Sequence, residues 1–153
     1  MIRPSASISI LALMALIAGT AVAADGMNVR ASSGTVTETV NRLSAAIEKG
    51  GARVVSIVDH AANAQSIGSR LPETRVVIFG NPKLGTPLIL KNPDVAIELP
   101  QKMLVWRDGE VTKVAYIEPT EMARRYGIDP CDDTIKAMAA AMDRLAGAAA
   151  RAD

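Results

Sequence analysis

The chain has 153 residues, and 17 Lys and Arg residues nearly balance 16 Asp and Glu residues, so the net charge at pH 7 is +1. Such a mixed chain lacks the basic footprint by which proteins bind nucleic-acid phosphates, and it lacks a polybasic patch for anionic lipids. Aromatic residues make up only 3% of the sequence, which argues against a platform on which bases could stack.

The first 23 residues have the pattern of an export signal. Arg3 supplies a positive charge, residues 8–18 are almost entirely apolar, and residues 21–23 (Ala-Val-Ala) fit a signal-peptidase site. The apolar run is shorter than the roughly 20 residues that a membrane-spanning helix needs. We therefore expect a signal peptide over residues 1–23 and export to the periplasm. Cleavage one residue later and an uncleaved membrane anchor are the alternatives.

The mature chain is predicted to form one domain. Removing residues 1–23 leaves 130 of the 153 residues, with 16 basic and 16 acidic side chains because only Arg3 is lost. A chain of this length can bury a hydrophobic core, and no repeat divides it. We therefore predict a single domain over residues 24–153, with no nucleic-acid binding and no stable membrane insertion after signal cleavage.

Strands and helices alternate in the first half of the mature chain. Thr35 and Glu38 form a capping box ahead of an amphipathic helix, which ends at Gly50. Residues 53–58 carry β-branched side chains on both faces, a pattern that predicts a central strand. The predicted elements are strand 27–33, a helix from the capping box to Gly50, strand 53–58, short helix 60–67 and strand 74–79.

The second half predicts a hairpin between short helices. Pro82 ends the preceding strand because proline offers no ladder donor, and Asp108-Gly109 is typical of a two-residue hairpin turn. The order indicates an α+β fold, an antiparallel or mixed sheet of about five strands with helices packed on one face. The predicted elements are loop 80–87, turn 88–90, helix 93–99, strands 103–107 and 111–117, helix 120–126 and C-terminal helix 130–147.

Four segments together resemble a known family. They are DHAANA (59–64), VIFGNPKLGTPL (77–88), IELPQKMLVWRDG (97–109) and VAYIEP (114–119). Their order and spacing, within a likeness that runs from residue 36 to 127, resemble the family called domain of unknown function 302. The resemblance implies a β-α-β(4)-α domain, similar in layout to half of the TATA-binding-protein fold, and it implies no established activity. Arg107 departs from the family, which often has an acidic residue there.

Five polar residues are candidates for a binding surface. Histidine is the residue type that titrates near neutral pH, and the chain has one, His60. Asn63 lies three residues further on the same side of the predicted helix. Asn81, Lys83 and Thr86, in the predicted loop, join them if the two neighbouring strands end at the same edge of the sheet. The alternative is that His60 and Asn63 hydrogen-bond to loop backbone and fix the turn.

The sequence favours no catalytic, metal or cofactor set. There is no G-x-S-x-G motif and no phosphate-binding loop of the Walker type, although residues 80–86 could cradle an anion if they are not simply a tight loop. Cys131 is the only cysteine, and an inert thiol is favoured over a reactive one. Met138 and Met142 lie one helical turn apart, where core packing is favoured over copper binding.

These observations predict a non-enzymatic module that binds a small ligand or a protein partner through the surface formed by His60, Asn63, Asn81, Lys83 and Thr86. One alternative is a small enzyme that uses His60 as general acid or base, with Asn63 or Asn81 orienting it. The other is a structural homodimer whose interface covers the sheet or the last helix.

Overall fold

The computed structural model of the chain describes residues 26–151, so the predicted signal peptide lies outside the described residues. The helices and strands, in chain order, are β1 (Met27–Ser32), α1 (Val36–Lys49), β2 (Arg53–Asp59), α2 (His60–Ser66), β3 (Thr74–Gly80), α3 (Pro82–Lys91), a 3₁₀ helix (Pro93–Glu98), β4 (Gln101–Asp108), β5 (Val111–Ile117), α4 (Pro119–Arg125) and α5 (Asp133–Ala150).

The five strands form one antiparallel sheet in the order β1-β5-β4-β3-β2. The strand β1 therefore pairs with β5, while β2 to β5 follow one another as neighbours. This is the predicted β-α-β(4)-α arrangement, with short helices inserted into the connections. The predicted single α+β domain is confirmed.

The long helix α1 begins where the sequence predicts. The hydroxyl of Thr35 accepts the backbone N–H of Glu38 at 3.2 Å, and the Glu38 carboxylate accepts the backbone N–H of Thr35 at 2.8 Å. This reciprocal pair satisfies donors that a helix start leaves free. The helix ends at Gly50, followed by Gly51 with a φ of 76°.

The core lies between one face of the sheet and the two long helices α1 and α5, which also pack against each other. Met138 and Met142, at 3% and 1% exposure, lie in this core, as core packing predicts. We call the covered side of the sheet the inner face. Its core residues are Val77, Phe79, Met103, Val105, Val114 and Tyr116.

The predicted loop over residues 80–87 and the turn over 88–90 are wrong, because this segment forms the helix α3. The Asn81 side chain accepts the backbone N–H of Lys83, and Pro82 occupies the first helical position, where a missing N–H costs nothing. Asn-Pro therefore marks a helix start here, rather than only the end of a strand.

The predicted central position of strand 53–58 is also wrong. The strand β2 lies at an edge of the sheet, opposite the β1 edge. Its register against β3 shifts between Val54 and Ser56, which leaves Val55 as an extra residue in the strand. Val55 is 63% exposed and Ile57 is 44% exposed, so these β-branched side chains are not covered by the fold.

Candidate functional site

The antiparallel pairing of β2 and β3 separates the five predicted site residues into two groups. Arg53 pairs with Gly80 at one end, and Asp59 pairs with Arg75 at the other. His60 and Asn63 follow the end of β2, whereas the remaining three follow the end of β3. Five residue steps at about 3.3 Å each place the two ends roughly 17 Å apart. The five residues therefore do not form one surface, and Asn81 does not reach His60 to orient it.

Asp59 and Arg75 organise the end that carries His60. The Asp59 carboxylate accepts the backbone N–H of Ala62 at 2.9 Å and the Arg75 Nε–H at 3.0 Å. These two hydrogen bonds lower the pKa of Asp59. Arg75 also donates from Nη1 to the Thr37 hydroxyl, which ties this end to α1.

His60 and Asn63 are both exposed on α2. The backbone carbonyl of Asn63 accepts a hydrogen bond from the Ser66 hydroxyl. Neither side chain takes part in the hydrogen bonds found among residues 26–151, so they do not fix the turn. Asp59 caps the helix instead.

The other end of β3 is organised by the helix start of α3. The side chain of Asn81 is engaged as the cap, with its Oδ1 3.0 Å from the backbone nitrogen of Lys83. Lys83 and Thr86 are exposed on the first two turns. Asn81 thus has a structural role that the sequence did not predict.

Replacing Asn81 by alanine is expected to lower the free energy of unfolding by about 1 kcal/mol, the usual cost of losing an N-cap side chain. Asn81→Asp retains the acceptor and places a negative charge at a helix N-terminus, so it should stay within a few tenths of a kcal/mol of the wild type. Urea unfolding monitored by circular dichroism measures both. Equal losses in the two variants would contradict a capping role.

A surface cleft of about 400 Å³ lies where α3 meets the loop between α4 and α5. An ion pair between Lys91 and Asp132 spans it, and this contact, together with the Thr134 N–H, lowers the pKa of Asp132. Asn92 donates to the backbone carbonyl of Tyr126 at 2.8 Å. None of the five predicted residues lines this cleft. Its lining residues are Lys91, Asn92, Pro93, Tyr126, Gly127, Ile128, Asp129 and Asp132.

The side of the sheet opposite α1 and α5, which we call the outer face, carries a continuous apolar row. The strand register places one residue of each strand in line, so the row crosses all five strands. In sheet order it consists of Val29, Ala115, Leu104, Val76 and Val58.

Further apolar residues flank this row. On one side lie Met27, Ile117 and Ile78, and on the other side lies Trp106, paired with Thr74 and Lys113. Ile117 is 42% exposed. Lys102, paired with Ile78, is a charged residue within this face.

The core does not extend to the outer face. Ala115 is only 1% exposed, yet neither it nor any other member of the row belongs to the core cluster formed with the helices. Leu104, Val76 and Val58 are half-buried. The sequence analysis did not predict this surface. The pattern that could have indicated it is the presence of apolar side chains on both faces of successive strands.

No helix among residues 26–151 is long and apolar enough to cross a bilayer. Within the same residues, no cluster of three or more His, Cys, Asp or Glu side chains is placed to hold a metal ion. Cys131 is exposed.

Within residues 26–151, fold and surfaces together define a small antiparallel α+β domain with one sheet face covered by helices and one left open by them. The chain belongs to the family "Domain of unknown function DUF302", whose model matches residues 27–145. A crystal structure of an uncharacterized conserved DUF302 protein from Bacillus stearothermophilus superimposes with a TM-score of 0.76 at 18% identity, over 84% of this chain and 100% of that one. At this identity the likeness shows the fold alone.

Relatives with longer chains are also similar. A protein of Brucella suis biovar 1 named fluoride-specific ion channel FluC 1 is 36% identical over 106 residues, which cover 68% of this chain and 42% of that protein. The protein named fluoride-specific ion channel FluC 2 of Brucella melitensis biotype 1 is likewise 36% identical, over 68% of this chain and 39% of its own length. This chain thus spans about two fifths of the length of these relatives.

Proposed function

We propose that the chain is an exported, non-enzymatic interaction module that binds a protein partner on the outer face of its sheet. The observation that carries the proposal is the apolar row across all five strands. An antiparallel sheet with one solvated face normally alternates apolar and polar residues along each strand. Here the outward positions of β3 and β4 include Val76, Ile78, Leu104 and Trp106.

The continuity of the apolar surface supports this function. Contiguous exposed apolar patches of more than a few hundred Å² are rare on monomeric proteins and mark interaction sites. The two rows next to the central one are mixed: they contain the apolar Met27, Ile117, Ile78, Ala31 and Trp106 and the polar Lys102, Ser56, Lys113 and Thr74. Covering this face would remove the apolar side chains from water, which favours association.

The named relatives support a role beside another protein. In the Brucella proteins named fluoride-specific ion channels, a segment similar to this chain makes up about two fifths of the length. Their names assign the activity to the whole protein. We infer that the family serves there as an accessory domain, and that this chain reaches its partner through a non-covalent surface.

If the chain binds a small ligand, the surface cleft is a better site than the five predicted residues. The five predicted residues lie at opposite ends of β3, whereas the cleft at Lys91 and Asp132 brings charged and apolar groups together. Small-ligand sites are concave and have volumes of roughly 300 to 1,000 Å³. The cleft is therefore the better candidate for that function.

Site-specific photo-crosslinking in the periplasm of producing cells tests the proposed docking surface. A photoreactive amino acid at Leu104, on the outer face, is expected to give protein adducts. The same amino acid at Leu90, which is 81% exposed on α3, is the matched control and should give none. Adducts would be identified by mass spectrometry. Absence of adducts from position 104, or equal adducts from both positions, would reject the outer face as the docking surface.

A further inference from the structure

We infer that the partner on the outer face is a second copy of this chain, stacked sheet against sheet. The inference rests on the proposed function, since it assigns an occupant to the same surface. Two copies would bury the apolar rows of both sheets between them, with the helices of each copy on the outside. Such a four-layer arrangement covers both faces of the central strands β3, β4 and β5.

The area of the outer face approaches that of a small specific interface. Five strands spaced about 4.8 Å apart, each contributing about six residues at about 3.3 Å, span roughly 24 by 20 Å, or about 480 Å² as a flat surface. The relief of the side chains increases the accessible area further. A standard specific interface buries about 800 Å² from each partner. Two stacked faces therefore give about 960 Å² of flat surface, and the relief of the side chains brings this toward the roughly 1,200 Å² at which specific interfaces begin.

The charges on β4 make the face complementary to itself. Lys102 lies at one end of the outer positions of this strand, and Asp108 lies at the other. A two-fold axis in the plane between the sheets and perpendicular to the strands reverses the strand direction. When this axis passes over Val105, it brings Lys102 of each copy opposite Asp108 of the other, while Leu104 meets Trp106. Asp108 already contacts Lys113 of its own copy at 2.5 Å, and a carboxylate can accept from both.

Trp106 reports directly on this contact, because it is the only tryptophan of the chain and lies on the outer face. The mature protein is expected to be a dimer by light scattering. Its tryptophan emission should shift to the red when dilution dissociates the dimer and exposes the indole ring.

Three substitutions of the same kind separate this interface from a general effect of charge. Leu104→Lys and Ile117→Lys place a charge on the outer face and are expected to raise the dimer dissociation constant at least ~30-fold, as for residues central to an interface. Leu90→Lys places the same charge on exposed α3 and should leave the dimer intact. Circular dichroism shows whether each variant folds. Ile117 is already 42% exposed, so a lysine there should be tolerated, and Ile117→Lys tests the interface even if Leu104→Lys does not fold.

Charge reversal tests the direction of stacking. Lys102→Glu is expected to weaken the dimer, and adding Asp108→Lys should restore it. A dimer that resists both Leu104→Lys and Ile117→Lys, or a wild-type monomer at every concentration reached, would overturn the inference. If the wild type is monomeric but position 104 crosslinks to another protein, the docking surface stands and the second copy is wrong. If the wild type is monomeric and position 104 forms no crosslinks, both the docking surface and the second copy are wrong.

Discussion

Replacing Leu43 by alanine is expected to lower the free energy of unfolding by about 3 kcal/mol. The side chain is fully buried, with 0% exposure, on the face of α1 that packs against the sheet and α5. Truncation removes three carbon atoms from the core and leaves a cavity between two layers that cannot collapse freely. Urea or thermal unfolding of the purified mature chain, followed by circular dichroism, measures the change.

Leu90→Ala is the matched control for this experiment, because it is the same substitution in another helix. Leu90 is 81% exposed, and leucine and alanine both favour helix, so the change should stay within about 0.5 kcal/mol. Similar losses in the two variants would show that α1 does not supply the core in the way described. The comparison must be made at one protein concentration if the chain dimerises, since association adds to apparent stability.

The long helices could be predicted from the sequence because their signals are local. Val36, Val40, Leu43 and Ile47 repeat at helical spacing, and all four are buried. The capping box at Thr35 marks the start of α1 independently of the rest of the fold. At the C-terminus, α5 runs from Asp133 to Ala150, so it starts three residues later and ends three residues later than predicted. Its apolar residues Ile135, Met138, Met142, Leu145 and Ala146 are buried.

The position of a strand in the sheet could not be predicted from the strand alone. Apolar residues on both faces of β2 indicated a central strand, yet β2 is an edge strand. Apolar residues on both faces do not say which elements lie beside the strand in the sheet, and they do not say whether a covering element belongs to the same chain. If the outer face is an interface, the sequence of β3 and β4 was informative about the assembly rather than about the single domain.

The five residues predicted to form one binding surface are separated for a related reason. The prediction that His60 and Asn81 meet required β2 and β3 to end at the same edge, which is the geometry of parallel strands. Strand direction depends on the path of the intervening chain. Here that path, through the short helix α2, returns the chain antiparallel, with Asp59 opposite Arg75. The family likeness located the segments correctly but carried no information on which of their side chains share a site.

Alkaline unfolding should depend on one buried phenol. Tyr116 is 4% exposed, and burial, with smaller contributions from the Glu118 and Asp143 carboxylates, raises its pKa to about 12. In the unfolded chain the value returns to about 10. The neutral phenol is therefore favoured by folding, and the associated stability is complete below pH 10 and lost as the pH rises through 12. A difference of about two pKa units corresponds to about 3 kcal/mol.

Tyr116→Phe removes the titrating hydroxyl and keeps the ring in the core. The variant should therefore lose less stability than the wild type between about pH 10 and 12, with the difference approaching 3 kcal/mol at the upper end. Urea midpoints measured across this range give the comparison, and near-ultraviolet absorbance follows tyrosinate formation directly. Tyr126→Phe is the comparison, since Tyr126 is half-buried and donates to Glu98. Burial and the Glu98 carboxylate also raise the pKa of Tyr126, so this variant should act in the same direction but more weakly. If Tyr116→Phe and the wild type lose stability in parallel, the alkaline transition belongs to other groups, and Tyr116 is not the phenol that resists ionisation.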